Sequence, residues 1–346
     1  MKYNEQLLKD SLIKILNIPS PTGYTEKIIQ YIKDDLSSEN ILFNETNKGA
    51  LIVSINGKND SYQRTFSAHV DTLGAMVKGI KCTGALALVP LGGYMMNSID
   101  GENCTITTLN GDNYSGTVQS TKPSVHISGN DARELKRIPE NMEIIIDEKV
   151  FSKQDVEKLG INVGDIISFD TRTRITENGF VKSRYLDDKA SVAILLFVIK
   201  HLIKEKIQLP FTTNFFISNY EEVGHGAKAA LPENTKEFIA VDMGAPGLDQ
   251  NSSEYVTCIC AKDTSGPYDY NLRKKLINVC KVNAIPYKVD VYPFYSSDAS
   301  AALGAGYDIK TALIGPGVFA SHAYERTHMD SILATVDLVL KYCQEA

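Results

Sequence analysis

Apolar and polar positions along the 346-residue chain follow two patterns, one typical of helices and one typical of strands. Near the start, Leu8, Leu12 and Ile15 recur at the spacing of an amphipathic helix. That helix should end before Pro19, because proline disfavours helical backbone in the residue ahead of it. Farther along, residues 190–204 are apolar on nearly every side, which is typical of a helix buried between two layers. The chain therefore alternates amphipathic and fully buried helices.

Short apolar runs bounded by Gly, Asn, Asp or Pro predict strands between these helices. Outside the middle of the chain, strands are predicted at residues 41–43, 51–55, 65–68, 211–218, 238–241, 255–261, 287–291 and 311–314. Further helices are predicted at 268–280 and 330–343. Strands that alternate with helices favour an α/β fold, with a mostly parallel sheet flanked by helices on both faces.

The pattern changes between residues 74 and 175. Short strand-like runs there are broken by Gly and Asn, with no long helical pattern between them. Several short strands at close spacing favour a small β-barrel or sandwich. We therefore predict an inserted β-rich domain at 74–175 and a main domain formed by 1–73 and 176–346.

Metal-binding side chains follow several of the predicted strands. His69, the pair Glu221 and Glu222, and Asp242 come directly after strands, and His322 lies a few residues after another. Ligands of open α/β sheets gather beyond the carboxyl ends of the strands, so these side chains should meet. Two imidazoles with several carboxylates are ligands suited to Zn²⁺, Co²⁺ or Mn²⁺. The sequence therefore predicts a metal site on one rim of the sheet.

Charge favours two ions over one. Three carboxylate ligands, Asp187, Glu222 and Asp242, would leave a site with a single dication negatively charged, whereas two dications leave room for a hydroxide. Asp187, at the start of the buried helix, would bridge them. Paired ions about 3.5 to 4 Å apart activate water and polarise a carbonyl together. Glu221 would then take the proton of the water and pass it to a leaving amine.

Composition and charge limit the classes of binding partner to be expected. A net charge of −6 and a pI near 5.6, with no basic block, argue against nucleic-acid binding. No apolar run is long enough to span a bilayer. The six scattered cysteines are expected to be reduced thiols of a cytoplasmic protein. A metal site formed by Cys258 and Cys260 is the less favoured alternative. Peptides or small molecules are the expected partners.

The same residues resemble the M42 family of dinuclear metallo-aminopeptidases. The resemblance rests, in chain order, on Ala68-His69-Val70-Asp71, Leu186-Asp187-Asp188-Lys189, Glu221-Glu222-Val223-Gly224, Val241-Asp242 and Ser321-His322-Ala323-Tyr324-Glu325. The early Ile18-Pro19-Ser20-Pro21-Thr22-Gly23-Tyr24 and Pro90-Leu91-Gly92-Gly93 fit the same pattern. Together the pieces cover essentially the whole chain.

The resemblance implies a role for each of these residues. One ion would be held by His69, Asp187 and Asp242, and the other by Asp187, Glu222 and His322. Glu221 would be the general base for a metal-bridging water, and Asp71 would orient His69. The family further implies an aminopeptidase-like three-layer core, an insert that mediates dimerisation, and dimers that assemble into a dodecamer. Its members remove N-terminal amino acids from peptides.

Two other functions fit the residues. A different metallohydrolase on the same scaffold, a deacylase or an endoglucanase-type enzyme, would act on N-acyl amino acids or cellulose fragments. A non-catalytic metal-bound assembly or peptide-binding protein would have no use for Glu221 as a base.

Overall fold

The computed structural model describes residues 3–346, which form two compact units: one up to Asp71 together with Arg172–Ala346, and the other Thr72–Thr171. The helices are α1 Glu5–Leu16, α2 Glu26–Ser38, α3 Val125–Ser128, α4 Asn130–Glu134, α5 Lys153–Lys158, α6 Leu186–Lys204, α7 Tyr270–Val282, α8 Asp298–Gly304 and α9 Met329–Gln344. The strands are β1 Asn44–Glu45, β2 Leu51–Ile55, β3 Gly57–His69, β4 Gly74–Ile80, β5 Leu86–Leu91, β6 Asn103–Thr107, β7 Asn113–Ser120, β8 Met142–Ile146, β9 Ile166–Phe169, β10 Arg174–Ile175, β11 Phe180–Ser183, β12 Leu209–Ser218, β13 Thr235–Val241, β14 Thr257–Asp263, β15 Gly266–Pro267, β16 Tyr287–Val291, β17 Lys310–Pro316 and β18 Glu325–His328.

The larger unit is built on a mixed sheet with the strand order β1-β2-β12-β3-β13-β17-β14-β15, and β16 pairs with β14. Its four central strands, β12, β3, β13 and β17, run parallel, whereas β2 and β14 flank them in antiparallel pairs. The predicted α/β class is confirmed, with parallel pairing concentrated at the centre. All four central strands therefore present their carboxyl ends at one edge.

A buried ion pair fixes the register of the two strands at the middle of this sheet. Arg64 in β3 lies opposite Glu237 in β13, and its Nε donates to a Glu237 oxygen at 2.9 Å. Both side chains are 1% exposed. His69 and Asp242 each lie five positions farther along their strands, so the same register brings them to the sheet edge side by side.

Helix α6 is buried along nearly its whole length, as its apolar sequence predicts. In the main core its Leu195 lies in one cluster with Leu12 of α1 and Val339 of α9. The core thus holds the start of α6 rigidly next to the edge of the sheet, and Asp187 lies at that start.

The prediction of a strand at 41–43 is wrong. Leu42 is 87% exposed, and the strand begins at Asn44, where Asn44 and Glu45 pair with Ile52 and Leu51. The sequence analysis also missed the small sheet β10-β11-β18, because its strands are short and rich in polar residues. One of them, β18, immediately follows the segment that carries His322.

The smaller unit is a closed barrel with the order β4-β5-β8-β7-β6-β9. Alternate residues face its core, including Ile106, Val118, Ile144 and Ile167, each fully buried. Of the two architectures expected for this stretch, the structure shows the barrel. The domain boundaries expected at 73/74 and 175/176 remain predictions.

All six cysteines are free thiols, and Cys258 and Cys260 are buried in β14. No helix within residues 3–346 is both long enough and apolar enough to cross a bilayer. The expected cytoplasmic location stays a prediction.

Candidate metal centre

The polar residues that follow the four parallel strands lie together at their shared edge. His69 is the last residue of β3, and Asp242 follows the last residue of β13. Glu221 and Glu222 occupy a single 3₁₀ turn shortly after β12. His322 lies in the segment between β17 and β18, with a left-handed backbone of φ 64°. The parallel sheet thus gathers residues from four distant parts of the chain.

Asp187 lies between the two imidazoles. Its Oδ1 is 3.4 Å from Nε2 of His69, and its Oδ2 is 3.5 Å from Nε2 of His322. Glu222 approaches the same His322 nitrogen at 3.5 Å. On the other side, His69, Asp187 and Asp242 offer ligand atoms that all lie within 4.8 Å of one another. Each oxygen of Asp187 therefore faces a different histidine.

An irregular start to α6 presents Asp187. Tyr185 has a left-handed backbone, and the peptide bond between Asp187 and Asp188 is cis. Asp188 is fully buried, and its Oδ2 accepts the main-chain N–H of His69 at 3.2 Å. Its carboxylate therefore fixes the end of β3 rather than serving as an ordinary helix cap.

Glu325 connects the two segments that carry Asp187 and His322. One of its oxygens accepts the N–H of Asp187 and the other accepts the N–H of His322, each at 3.1 Å. Ser321 adds a hydrogen bond from its Oγ to Asp187 Oδ2 at 2.9 Å. The sequence alone leaves open whether Glu325 bonds to the loop of His322 or faces water, since a carboxylate that binds main-chain N–H groups has no periodic signal.

Asp71 holds the turn that carries the two glutamates. Its carboxylate accepts the N–H groups of Glu221 and Glu222 at 3.1 and 3.3 Å, and the Thr22 hydroxyl at 2.8 Å. His69 Nδ1 is 2.9 Å from the main-chain oxygen of Asp71 and 3.5 Å from its Oδ1. Asp71 thus contacts the His69 ring chiefly through its backbone, while its side chain positions Glu221.

A second anchor lies behind the glutamate turn. The Lys48 ammonium donates to the main-chain oxygens of His225 and Gly226 at 2.6 and 2.7 Å. Asp298, 3% exposed, accepts the N–H of Ala227 at 2.8 Å. A Cβ on Gly226 would overlap the Asp298 carboxylate, so glycine is required for this close packing. No pattern in the sequence singled out Lys48.

Burial and mutual repulsion raise the pKa of three carboxyl groups in the site. Burial, followed by the charge of Asp187, raises the pKa of Glu222 to about 8 and that of Asp242 to about 7. Burial also raises the pKa of Glu221 well above its usual value. Without another positive charge in the site, these groups therefore keep their protons to a higher pH than ordinary carboxyl groups do.

The pKa of Asp187 is shifted in the opposite direction. Burial alone would raise its pKa, but the close contacts and charges of His322 and His69 outweigh burial and place the pKa far below its usual value. For His69, burial disfavours the charged ring, yet Asp187, Asp71 and Glu221 raise its pKa well above normal. Positive charge between these groups is therefore strongly favoured.

Two buried atoms of the site make no hydrogen bond. They are Nε2 of His69 and Oε1 of Glu222. Buried polar atoms are ordinarily paired, so each such atom asks for an explanation such as a bound ion. Both belong to the chemical types that bind Zn²⁺ and related cations, and the residues present therefore fit such ions.

The site forms one wall of an open cleft of about 580 Å³. Asp187, Glu221, Glu222, Asp242 and His322 all line it. The ligand candidates are thus reachable by a substrate from solvent.

Comparison with known proteins agrees with the motifs. The family model described as M42 glutamyl aminopeptidase matches residues 49–338. The Bacillus subtilis (strain 168) protein YhfE, named provisionally as an aminopeptidase, is 50% identical over 334 residues, 96% of each chain.

Solved structures show the same fold. A TET aminopeptidase from a marine sediment archaeon of the Thaumarchaeota has a TM-score of 0.89 at 18% identity, covering 99% of this chain and 97% of that one. The Pyrococcus horikoshii TET1 peptidase has a TM-score of 0.86 at 24% identity, covering 98% of this chain and 100% of that one. The similarity to these solved structures shows the fold. The match to the family model, together with the 50% identity to YhfE, shows the family to which the chain belongs. The resemblance drawn from the motifs is confirmed: the chain belongs to the M42 family of aminopeptidases.

Proposed function

We propose that the protein is a dinuclear metal-dependent aminopeptidase that removes N-terminal amino acids from peptides. The observation that carries the proposal is the position of Asp187, with one carboxylate oxygen toward each of His69 and His322. A carboxylate in that position has the geometry of a bridge between two ions. A single ion would leave one of the two imidazoles without a role.

The residues divide naturally into two ligand sets. His69, Asp187 and Asp242 would hold one ion, and Asp187, Glu222 and His322 the other. Zn²⁺, Co²⁺ and Mn²⁺ all accept such a mixture of imidazole and carboxylate. When bound, two such ions activate water and polarise the carbonyl of the scissile peptide.

Glu221 is the residue placed to move protons. Its Oε2 is 3.7 Å from Nε2 of His69, and its side chain is 12% exposed toward the cleft. The hydrogen bond from the main-chain N–H of Glu221 to the Asp71 carboxylate fixes the backbone that carries this side chain. Glu221 would accept a proton from the attacking water and deliver it to the nitrogen of the leaving amine.

The charge of the cleft favours a free amine over the substrates of the alternative enzymes. Every charged residue that lines it is acidic except His322, whose charge depends on its protonation. A peptide N-terminus brings a positive charge to this wall. An N-acyl amino acid or a cellulose fragment has no such amine to interact with the acidic residues. Peptides are therefore the better substrate class.

We further propose that the chain forms homo-oligomers, with the barrel unit as the dimerisation surface. The Pyrococcus horikoshii TET1 peptidase can assemble into a tetrahedron or a large octahedral shell. The barrel unit here exposes Leu109, Ile127 and Phe151, at 90%, 89% and 80%. These side chains are the candidates for burial between copies of the chain.

Light scattering tests the assembly. The expected particle contains at least two 38.1 kDa chains, with a dodecamer as the full assembly. Replacing Ile127 by Asp should reduce the mass, because a charge at an apolar interface is costly to bury. The exposed Leu42→Asp variant outside the barrel is the control. A wild-type protein that stays monomeric at all concentrations contradicts the proposal.

Glu221→Gln tests the general base. The amide keeps the shape of the side chain but has no basic oxygen, so kcat on an aminoacyl anilide should fall about 10²- to 10⁴-fold. Bound metal, measured by elemental analysis, should stay unchanged, and chelation of the wild type should abolish activity reversibly.

Glu233→Gln, on the exposed turn before β13, is the matched control and should keep full activity. Glu221→Gln activity within threefold of the wild type would rule out the assigned role. So would wild-type activity that survives complete removal of metal.

The pKa shifts predict how pH affects the metal-free protein. Glu222 and Asp242 have raised pKa values of about 8 and about 7, so between pH 5 and pH 7 the folded chain binds more protons than the unfolded chain. Stability then falls as pH rises. His69, whose pKa is also raised, adds to the same trend, whereas the lowered pKa of Asp187 acts only below pH 4.

Urea unfolding measures this effect. The metal-free protein should lose stability from pH 5 to pH 7, and Glu222→Gln should lose less because it lacks one titrating group. Zn²⁺ should stabilise more at pH 7 than at pH 5, since metal binding displaces the protons. Stability that is flat or rises with pH in the metal-free protein would refute the electrostatic description.

A further inference from the structure

The cleft contains charged groups only at the candidate metal centre. Asp187, Glu221, Glu222, Asp242 and His322 account for all of them, and no lysine or arginine is among the lining residues of the described chain. The rest of the wall is neutral, and Met243, Ala245, Phe294 and Val318 supply apolar surface. The space for the first side chain of a peptide therefore has no built-in partner for a charge.

We propose that this enzyme selects peptides whose N-terminal residue is apolar or aromatic, and that it discriminates against N-terminal glutamate and lysine. The proposal rests on the aminopeptidase function above and concerns its substrate class. It differs from the glutamyl preference in the description of the matching family model.

Three neutral polar side chains of the wall already have partners within the protein. The Tyr295 hydroxyl donates to the main-chain oxygen of Met243 at 2.9 Å, and the Tyr292 hydroxyl is 2.6 Å from Ser252 Oγ. The amide of Gln250, in the orientation that satisfies its neighbours, donates to Asp290 and to the oxygen of Val291. These side chains therefore offer a substrate their hydrocarbon and ring surfaces rather than free donors.

Two basic side chains on segments that border the cleft are committed elsewhere. Lys48 binds the carbonyls of His225 and Gly226 behind the glutamate turn. Arg326, just after the segment of His322, makes two hydrogen bonds to Glu254 at 2.7 and 2.9 Å. Recruiting either cation for a substrate carboxylate would break an existing interaction.

A charged side chain loses hydration on entering such a space and gains no partner. The cost of an unpaired charged group is about 3 kcal/mol or more, which corresponds to roughly a hundredfold in kcat/KM. The carboxylates of the wall give an N-terminal lysine no partner either, because in the proposed enzyme they hold the ions.

Phe294 is placed to contact the favoured side chains. It lies between β16 and α8, lines the cleft, and is 96% exposed. A large aromatic ring left in solvent at the mouth of a cleft gains contact area when an apolar side chain enters. Phe294 is therefore the residue expected to determine specificity.

A panel of leucyl, phenylalanyl, glutamyl and lysyl anilides tests the preference on the metal-loaded enzyme. The kcat/KM values for leucine and phenylalanine should exceed those for glutamate and lysine about a hundredfold. Phe294→Ala should lower the phenylalanine value about tenfold, while Tyr270→Ala, at an exposed aromatic residue of α7 away from the cleft, should not. Glutamyl or lysyl anilides cleaved within tenfold of leucyl anilide would overturn the proposal.

A designed cation provides a second test. Ser296 lines the cleft and is exposed, so Ser296→Arg should raise the ratio of glutamyl to leucyl cleavage at least tenfold, and Ser296→Gln should not. An unchanged ratio would show that charge in the cleft does not set specificity.

Binding separates this proposal from the function on which it rests. Calorimetry should show that free L-phenylalanine binds and that L-glutamate binds at least tenfold more weakly. If no anilide is cleaved, the aminopeptidase function fails while this binding difference still supports an apolar pocket. Equal or tighter binding of glutamate overturns the pocket assignment whether or not the enzyme is active.

Discussion

Electrostatic repulsion among buried carboxylates is the constraint on which the site depends. The parallel strands β12, β3 and β13 end at one edge, and α6 starts beside them, so Asp187, Glu221, Glu222 and Asp242 share a small and mostly buried space. Two like charges 4 Å apart repel by about 4 kcal/mol at a protein surface. Without added cations the groups respond by keeping protons, which the raised pKa values of Glu222 and Asp242 express.

The rest of the fold holds these groups in place despite that repulsion. The Arg64–Glu237 pair fixes the register of β3 and β13 from within the sheet. At the edge, Asp71 and Glu325 accept main-chain N–H groups of the residues they position. Such bonds restrain the backbone and leave the ligand atoms free. A site preorganised in this way loses little entropy when ions bind, which is a general requirement of effective metal centres.

The sequence predicted the contents of the site better than its supports. His69, Glu221 and Asp242 follow apolar strands, so a parallel sheet brings them together whatever the details of packing. Thr22 and Glu325 could not be found in this way, since both act through hydrogen bonds that depend on tertiary structure. The predicted strand at 41–43 failed for a related reason: Leu42 is apolar but lies on the surface. Local hydrophobicity fixes elements and misses the few polar contacts that align them.

The central claim is that two ions occupy this edge of the sheet with Asp187 between them. Anomalous diffraction from crystals grown with excess Zn²⁺ tests it most directly. Two anomalous peaks are expected in each chain, one among His69, Asp187 and Asp242, and one among Asp187, Glu222 and His322. A single peak, or peaks that lie away from both imidazoles, would contradict it.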